Sequence, residues 1–126
     1  MNTPRKILIA EDDAASRELL AEILANLGYQ VVEACDGREA LQKIEETNPE
    51  LILLDIQMPV LDGIAVLWRL RANPRFRDRP VIAVTAYAMQ GDRDQTLRAG
   101  FNGYLSKPVN VAALRTEIER HLLTET

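Results

Sequence analysis

The sequence predicts an α/β domain in which five parallel strands form one sheet with helices on both faces. Five short apolar runs rich in Ile, Val and Leu recur along the chain, and stretches with the spacing of amphipathic helices lie between them. Continuous apolar runs are typical of strands buried on both faces, and right-handed crossovers place helices on both sides of such a sheet. The expected architecture is therefore a five-stranded doubly wound sheet.

The predicted strands are the apolar runs themselves. In chain order they are residues 6–10 (KILIA), 30–34 (QVVEA), 51–55 (LILLD), 81–85 (VIAVT) and 103–106 (GYLS). Helices are predicted between them, because apolar residues there recur on one helical face. The apolar positions are Leu20, Ile23, Leu24 and Leu27; Ala40, Leu41 and Ile44; Ile64, Leu67 and Trp68; and Leu114, Ile118 and Leu122.

The ends of the elements are predicted from residues that interrupt helices. Gly28 ends the first helix, Asn48-Pro49 ends the second, and Asn73-Pro74 precedes the fourth strand. The fourth helix is expected within the polar stretch GDRDQTLRAG, where Gly100 stops it.

Composition and charge limit the classes of function. The 126 residues are 47% hydrophobic and 27% charged, which is typical of one globular domain. The net charge of -4 argues against nucleic acid or an anionic membrane as a direct partner. A single cysteine, Cys35, cannot form an intramolecular disulfide, and the start MNTPRK has no apolar stretch typical of a signal peptide or membrane span. The expected compartment is the cytoplasm.

Polar residues collect where the predicted strands end, which is where doubly wound sheets bind their ligands. These residues are Glu11, Asp12 and Asp13 after the first strand, Asp55 in the third, Thr85 in the fourth and Lys107 after the fifth. Singly, each has an ordinary explanation: a helix cap, a strand residue or a surface lysine. Together they bring carboxylates, a hydroxyl and an ammonium to one edge of the sheet.

Clustered carboxylates repel one another and raise one another's pKa unless a positive charge lies among them. Mg²⁺ prefers oxygen ligands, and the absence of neighbouring Cys or His argues against zinc. We expect Asp12 and Asp55 to bind Mg²⁺, with Mn²⁺ as an alternative ion, and Glu11 to bind it directly or through water. Carboxylates, a cation, Lys107 and Thr85 around one pocket suit phosphoryl transfer with Asp55 as nucleophile.

The sequence resembles the receiver domains of two-component response regulators, of the chemotaxis-regulator-like kind, over essentially the whole chain. The motifs that carry the resemblance are ILIAEDDAASRELL, LILLDIQMPVLDG, VIAVTA and GFNGYLSKP, in family order and spacing. The resemblance implies a flavodoxin-like fold with strand order 2-1-3-4-5. It implies a single receiver domain over residues 1–126, with a core of about 5–123. It also implies a signalling switch rather than an enzyme, apart from catalysis of its own phosphorylation and dephosphorylation.

The resemblance implies a role for each residue at the strand ends. The roles are phosphoacceptor for Asp55, phosphate contact for Lys107, acidic pair for Glu11 and Asp12, and metal ligand for the backbone carbonyl of Gln57. Asp13 is then left as the helix cap. The Lys107-Pro108 bond resembles the cis peptide of the family, with a trans bond as the alternative.

Two further pairs of residues take their roles from the resemblance. Thr85 and Tyr104 form the switch, although packing of Tyr104 on the last helix is a compatible alternative. Gln57 and Tyr87 stand two residues after Asp55 and Thr85, where the family tunes the lifetime of the phosphoryl group. A solvent-facing loop aromatic is the alternative for Tyr87.

The implied partners are a histidine kinase or histidine phosphotransfer protein, and a downstream protein target that reads the fourth helix, fifth strand and fifth helix. The segment TAYAMQGDRDQTLRAGFNGYLSKPV is more similar to receivers of hybrid histidine kinases or stand-alone relays than to those fused to DNA-binding domains. One rival function is a binding module with vestigial phosphorylation, although no motif position is lost. Another is an aspartyl-phosphate phosphohydrolase, disfavoured because Ile56 and Gln57, not an acid, follow Asp55.

Overall fold

Five strands alternate with five helices in the computed structural model, which describes residues 4–86 and 92–122. The strands are β1 (Lys6–Ala10), β2 (Gln30–Ala34), β3 (Leu51–Asp55), β4 (Val81–Thr85) and β5 (Gly103–Ser106). The helices are α1 (Ala14–Asn26), α2 (Gly37–Thr47), α3 (Gly63–Ala72), α4 (Asp92–Ala99) and α5 (Val111–Leu122). All five predicted strand ranges are confirmed.

The strands form one parallel sheet in the order β2-β1-β3-β4-β5, which confirms the predicted fold class. The continuous apolar runs belong mainly to the inner strands: every residue of β3 and β4 is buried, as are four of the five in β1. The edge strands β2 and β5 contain exposed positions. The strand order reverses between β1 and β3, so the ends of these strands border the crevice where such sheets bind ligands.

Alternate residues of each strand supply two cores, one on each face of the sheet. Leu8 and Leu54 belong to the core beneath α2, α3 and the end of α4. Ile9 and Leu53 belong to the core beneath α1 and α5. This alternation follows from the opposite directions of successive side chains in a strand. Because both faces are covered, polar side chains of the inner strands are confined to the strand ends.

Local capping groups set the helix boundaries. Three helices begin after an aspartate whose side chain accepts a hydrogen bond from a backbone N–H three residues on, namely Asp13 for α1, Asp36 for α2 and Asp62 for α3. The predicted interruptions at Gly28, Asn48 and Gly100 are confirmed, with positive φ angles of 96°, 51° and 119°. Within the two described ranges, no helix is both long and apolar enough to cross a bilayer.

Candidate phosphoryl-transfer site

The parallel register brings four predicted site residues to the same edge of the sheet. Ala10 lies beside Leu54 in the ladder, so that Glu11 and Asp55 follow on neighbouring strands. On the other side of β3, the backbone N–H of Lys107 donates to the Thr85 carbonyl at 2.8 Å. The Lys107-Pro108 peptide is cis, as the resemblance implied. The ends of β1, β3, β4 and β5 therefore converge as the sequence predicted.

Lys107 connects the two buried carboxylates of this edge. Its Nζ lies 3.0 Å from Asp55 Oδ2 and also contacts Glu11 Oε1. Glu11 is 2% exposed and Asp55 is 5% exposed, so their charges are poorly solvated. Burial disfavours the ammonium and lowers the pKa of Lys107, but the hydrogen bonds and charges of Glu11 and Asp55 outweigh burial and leave that pKa raised. Lys107 is therefore held in its charged form.

The acids of the first strand end and Asp55 form a cluster that fits a divalent cation. Glu11, Asp12 and Asp55 each offer an oxygen, and these oxygens lie within 4.8 Å of one another. Two ligands of one octahedral Mg²⁺ lie about 3 Å apart when adjacent and about 4.2 Å apart when opposite. Among the three acids only Asp12 is exposed, and it lines a surface cleft with Gln57 and other residues of the β3–α3 connection. A hard cation entering from this cleft would meet Asp12 first.

The three consecutive acids after β1 have different surroundings. Glu11 Oε2 accepts a hydrogen bond from the Asp13 backbone N–H at 3.0 Å, and its other oxygen contacts Lys107. Asp13 Oδ2 accepts from the Ser16 backbone N–H at 2.9 Å, and this hydrogen bond lowers the pKa of Asp13. Asp13 is the cap of α1, as predicted. Asp12 is thus the member of the run that faces the cleft.

The connection between β3 and α3 is tightly turned beside the site. The Gln57 backbone N–H donates to Asp55 Oδ1 at 3.0 Å and so orients the carboxylate. Further along, the Leu61 N–H donates to the Pro59 carbonyl at 2.7 Å across Val60, whose φ is 70°. A positive φ at a β-branched residue is strained. Nothing in the sequence around Val60 indicated this turn.

Gly63 approaches the end of β3 more closely than any side chain permits. Its backbone N–H donates to the Ile56 carbonyl at 2.9 Å. A Cβ on Gly63 would lie 2.4 Å from the Asp55 carbonyl oxygen and 2.8 Å from Ile56 Cα. This role of Gly63 was not predicted from the sequence. Its signal was a glycine placed directly after a capping aspartate, where better helix formers are available.

Arg17 is a second neighbour of the site whose role was not predicted from the sequence. Its Nη1 donates to the Glu11 backbone carbonyl at 2.8 Å, and its Nε lies 3.4 Å from Glu33 Oε1. Arg17 therefore fixes the backbone at the start of the acidic run. Its position one turn after the α1 cap was the only available signal, and that position is unremarkable for an arginine.

Thr85 and Tyr104 line the same cavity of about 230 Å³ between β4, β5 and α4. Thr85 is 3% exposed and Tyr104 is half-buried. The expectation that Tyr104 packs on the last helix is wrong: Tyr104 packs against the core beneath α2, α3 and α4, whereas Leu105 faces α5. Alternation along β5 is the reason. Tyr87 lies outside the described residues.

Comparison with known proteins identifies the class to which this arrangement belongs. A five-stranded 2-1-3-4-5 sheet with an acidic cluster and a lysine at its carboxyl edge matches the response regulator receiver domain, whose family model covers residues 7–119. The chain belongs to this family of two-component signalling domains. Receiver domains are signalling switches rather than conventional enzymes.

Individual relatives cover nearly the whole chain. The polar-differentiation response regulator DivK of Brucella anthropi is 36% identical over 119 residues, which are 94% of this chain and 97% of DivK. The receiver domain of the Pseudomonas aeruginosa sensor histidine kinase PA1611 is 38% identical with a TM-score of 0.86, covering 94% of this chain and 98% of that one. That structure holds a magnesium ion in its active-site cleft. The chemotaxis protein CheY4 of Vibrio cholerae superposes with a TM-score of 0.87 at 28% identity, covering 95% of this chain and all of CheY4.

Proposed function

We propose that this chain is a phosphorylation-controlled switch in which Asp55 accepts a phosphoryl group from a phosphohistidine. An Asp55 carboxylate oxygen attacks phosphorus, the P–N bond breaks, and its electron pair remains on the imidazole nitrogen, which takes a proton from solvent. The products are an acyl phosphate on Asp55 and a neutral histidine on the donor. The observation that carries the proposal is the position of Lys107 Nζ, 3.0 Å from Asp55 Oδ2.

Lys107 and Thr85 would stabilise the transferred group. Phosphoryl oxygens carried by Asp55 occupy the space beside the Lys107 ammonium, which neutralises part of their charge. The Thr85 hydroxyl would donate a hydrogen bond to the same group. Lys107 reaches this place in a fixed orientation because its backbone is hydrogen-bonded to the Thr85 carbonyl.

The acidic cluster supports a magnesium site built from Asp12, Asp55 and the backbone carbonyl of Gln57, with Glu11 acting directly or through water. When bound, Mg²⁺ or Mn²⁺ would neutralise phosphoryl oxygens. The donor set supports this, since it consists of carboxylates and carbonyls. The similar PA1611 receiver, which holds magnesium in its cleft, gives independent support. Asp12 would contribute negative charge to the metal site and help to position the ion, and Glu11 would hold the Lys107 ammonium in place.

The phosphate would be read through Thr85 and Tyr104. A phosphate on Asp55 that accepts a hydrogen bond from Thr85 would draw this side chain inward, vacating part of the cavity of about 230 Å³ that both residues line. Tyr104 would then turn from its half-buried position into that space. The change would alter the surface of α4, β5 and α5, as a shift between two populated arrangements.

Gln57 and Tyr87 are proposed to set the lifetime of the acyl phosphate. Gln57 supports this role by its position, since it lines both the cleft beside Asp12 and the cavity beside Thr85. It stands where a water molecule would approach the phosphorylated Asp55. Its amide is a poor general base, so rapid hydrolysis is not expected from this side chain.

The proposed partners are a histidine kinase or histidine phosphotransfer protein as donor and a protein target as reader, in the cytoplasm. Neither nucleic acid nor a membrane is proposed as a direct partner. Residues 1–126 are proposed to act as one receiver domain. The DivK and PA1611 relatives support a place in two-component signalling.

Phosphorylation with a small donor tests the proposal directly. We expect phosphoramidate with Mg²⁺ to add one acid-labile phosphate, which mass spectrometry locates on Asp55. Asp55→Asn should not be labelled, because an amide is a much weaker nucleophile. Asp36→Asn is the matched control, since Asn also caps helices well and Asp36 caps α2 away from the site. Labelling of Asp55→Asn at the parental level would refute the assignment, and steady turnover of phosphate esters would instead support the phosphohydrolase.

Hydrogen exchange tests whether a signal passes from Asp55 to the surface of α4, β5 and α5. We expect phosphorylation to change exchange across residues 92–122 in the parent, but only near Asp55 in Thr85→Ala. Thr116→Ala is the control, because Thr116 donates its hydroxyl to the Ala112 carbonyl on the exposed side of α5. A full response in phosphorylated Thr85→Ala would show that the signal does not pass through this hydroxyl.

A further inference from the structure

One wall of the cleft beside Asp12 is built from the connection between β3 and α3. The residues of this connection that line the cleft are Ile56, Gln57, Met58, Pro59 and Asp62. Between Pro59 and Asp62 the backbone makes the tight turn at Val60, whose φ of 70° is strained for a β-branched residue. A strained turn persists only where its surroundings hold it. A support for this turn would therefore also set the shape of the cleft.

Gly37, the buried first residue of α2, lies directly against Leu61, the residue that follows Val60. A Cβ on Gly37 would overlap the Leu61 carbonyl oxygen and would lie 2.7 Å from Leu61 Cβ and 2.8 Å from the Leu61 carbonyl carbon. The two carbonyl atoms belong to the backbone, so they cannot rotate away. The φ of Gly37 is not positive, and glycine is therefore required here for space rather than for backbone freedom.

The start of α2 is fixed by two hydrogen bonds that run in opposite directions. Asp36 Oδ1 accepts from the Glu39 backbone N–H at 2.8 Å, and Glu39 Oε1 accepts from the Cys35 backbone N–H at 2.8 Å. Just before this turn, the Glu11 backbone N–H donates to the Ala34 carbonyl at 3.0 Å. The first turn of α2 is thereby joined to the acidic end of β1. It is a fixed support against which the Leu61 backbone lies.

We propose that Gly37 is a positioning residue for the cleft beside Asp12, because its lack of a side chain lets the first turn of α2 contact the Leu61 backbone. This contact holds the turn at Val60, and with it the wall of the cleft, in the arrangement that binds Mg²⁺. The inference rests on the proposed function, since that function assigns Mg²⁺ to this cleft. Gly37 does not itself line the cleft, so its effect passes through Leu61.

Mg²⁺ titration of the full, unphosphorylated chain by calorimetry tests this role. We expect Gly37→Ala to bind Mg²⁺ about tenfold more weakly than the parent, as is typical when residues that orient metal ligands are replaced. Hydrogen exchange at the Leu61 amide should also be faster, because the turn is displaced. Gly28→Ala is the control, since a Cβ on Gly28 meets nothing within 4 Å and its φ of 96° makes alanine destabilising. It should lose stability and bind Mg²⁺ as the parent does.

Asp36 provides a second test that adds no atom to the contact. Asp36→Ala removes the cap of α2, so that the first turn loosens beside Leu61, and should weaken Mg²⁺ binding about threefold. Asp36→Asn removes the same charge but keeps a capping side chain, and it should bind Mg²⁺ as the parent does. This pair of variants decides the question even if Gly37→Ala does not fold.

Relaxing the turn should rescue Gly37→Ala. When Gly37→Ala is combined with Val60→Gly, the backbone between Pro59 and Leu61 can yield to the added Cβ without moving the rest of the wall. We expect most of the Mg²⁺ affinity to return. Loss of packing alone would not couple these two substitutions in a metal titration.

Parental Mg²⁺ affinity in Gly37→Ala would show that this glycine serves packing alone and would overturn the proposal. Equal affinities of Asp36→Ala and Asp36→Asn, or a double variant as weak as Gly37→Ala, would also overturn it. A parent that binds no Mg²⁺ would overturn this role together with the metal site of the proposed function. Calorimetry needs no phosphoryl donor, so a failure to label Asp55 would refute phosphoryl transfer and leave the role of Gly37 unaffected.

Discussion

Replacing Gly63 by Ala should disturb stability and phosphorylation together. The added Cβ would lie 2.4 Å from the Asp55 carbonyl oxygen and 2.8 Å from Ile56 Cα, and both are backbone atoms that cannot rotate away. Ordinary contact requires about 3.5 Å, so either α3 or the end of β3 must move by about 1 Å. Overpacking of this kind costs about 1–3 kcal/mol, and better helix propensity returns up to about 1 kcal/mol. We expect a net loss of about 1–2 kcal/mol.

That loss corresponds to a decrease in Tm of about 4–8 °C for a domain of this size, which thermal unfolding can measure. A displacement of about 1 Å at Asp55 should slow phosphorylation by a small donor about 100-fold. Gly28→Ala is the control. A Cβ on Gly28 meets nothing within 4 Å, and alanine there loses stability because the residue keeps a φ of 96°. Gly28 lies far from the site. Gly28→Ala should lose stability while keeping the phosphorylation rate. Parental stability and labelling of Gly63→Ala would refute the steric argument.

Three further predictions concern the neighbouring residues. Asp12→Ala should weaken Mg²⁺ binding roughly 100-fold in a metal titration. Asp13→Ala should lower the free energy of unfolding by about 1 kcal/mol, because the cap of α1 is lost, and should leave Mg²⁺ affinity unchanged. Weaker Mg²⁺ binding in Asp13→Ala but not in Asp12→Ala would show that Asp13 is the metal ligand. Val60→Gly should raise the free energy of unfolding by about 0.5–1 kcal/mol. Relief of the strained φ of 70° outweighs the greater freedom of glycine in the unfolded chain. A lower free energy of unfolding in urea for this variant would contradict the prediction. Lys107→Met should have a lower free energy of unfolding than the parent at pH 7, and this difference should shrink above pH 10.5. The raised pKa of Lys107 contributes stability that is present below pH 10.5 and is lost as Lys107 deprotonates. A difference that does not change at alkaline pH would refute the ion-pair explanation.

The sheet was predictable because its signals are local and repeated. Buried parallel strands require uninterrupted apolar runs, and each run in the sequence became a strand with the same limits. Asp13 was also predictable, since a capping side chain acts on a backbone group only three residues away. The residues at the strand ends were found because parallel strands place their carboxyl ends at one edge.

The contacts that join distant segments could not be predicted in the same way. Lys107 contacts Glu11 and Asp55, which lie far from it in the sequence. These contacts depend on how far β5 is shifted along the strand direction relative to β1 and β3. One alternative placed Tyr104 on the face of β5 that packs against α5, which is the wrong face. A four-residue strand has too few positions for the sequence to fix which side chains lie on which face. The strained turn at Val60 has no sequence signal, since valine disfavours the conformation it adopts there.

The order of strands gives the molecule a gradient of local stability. β3 carries Asp55 and is hydrogen-bonded on both sides, whereas β5 carries Tyr104, contains only four residues and is paired with β4 alone. Opening the edge strand breaks one ladder, while opening β3 breaks two and exposes fully buried side chains. The segment proposed to change on signalling is therefore the less costly one to rearrange. Asp55 remains on the strand that is paired on both sides and is therefore among the most costly parts of the sheet to open.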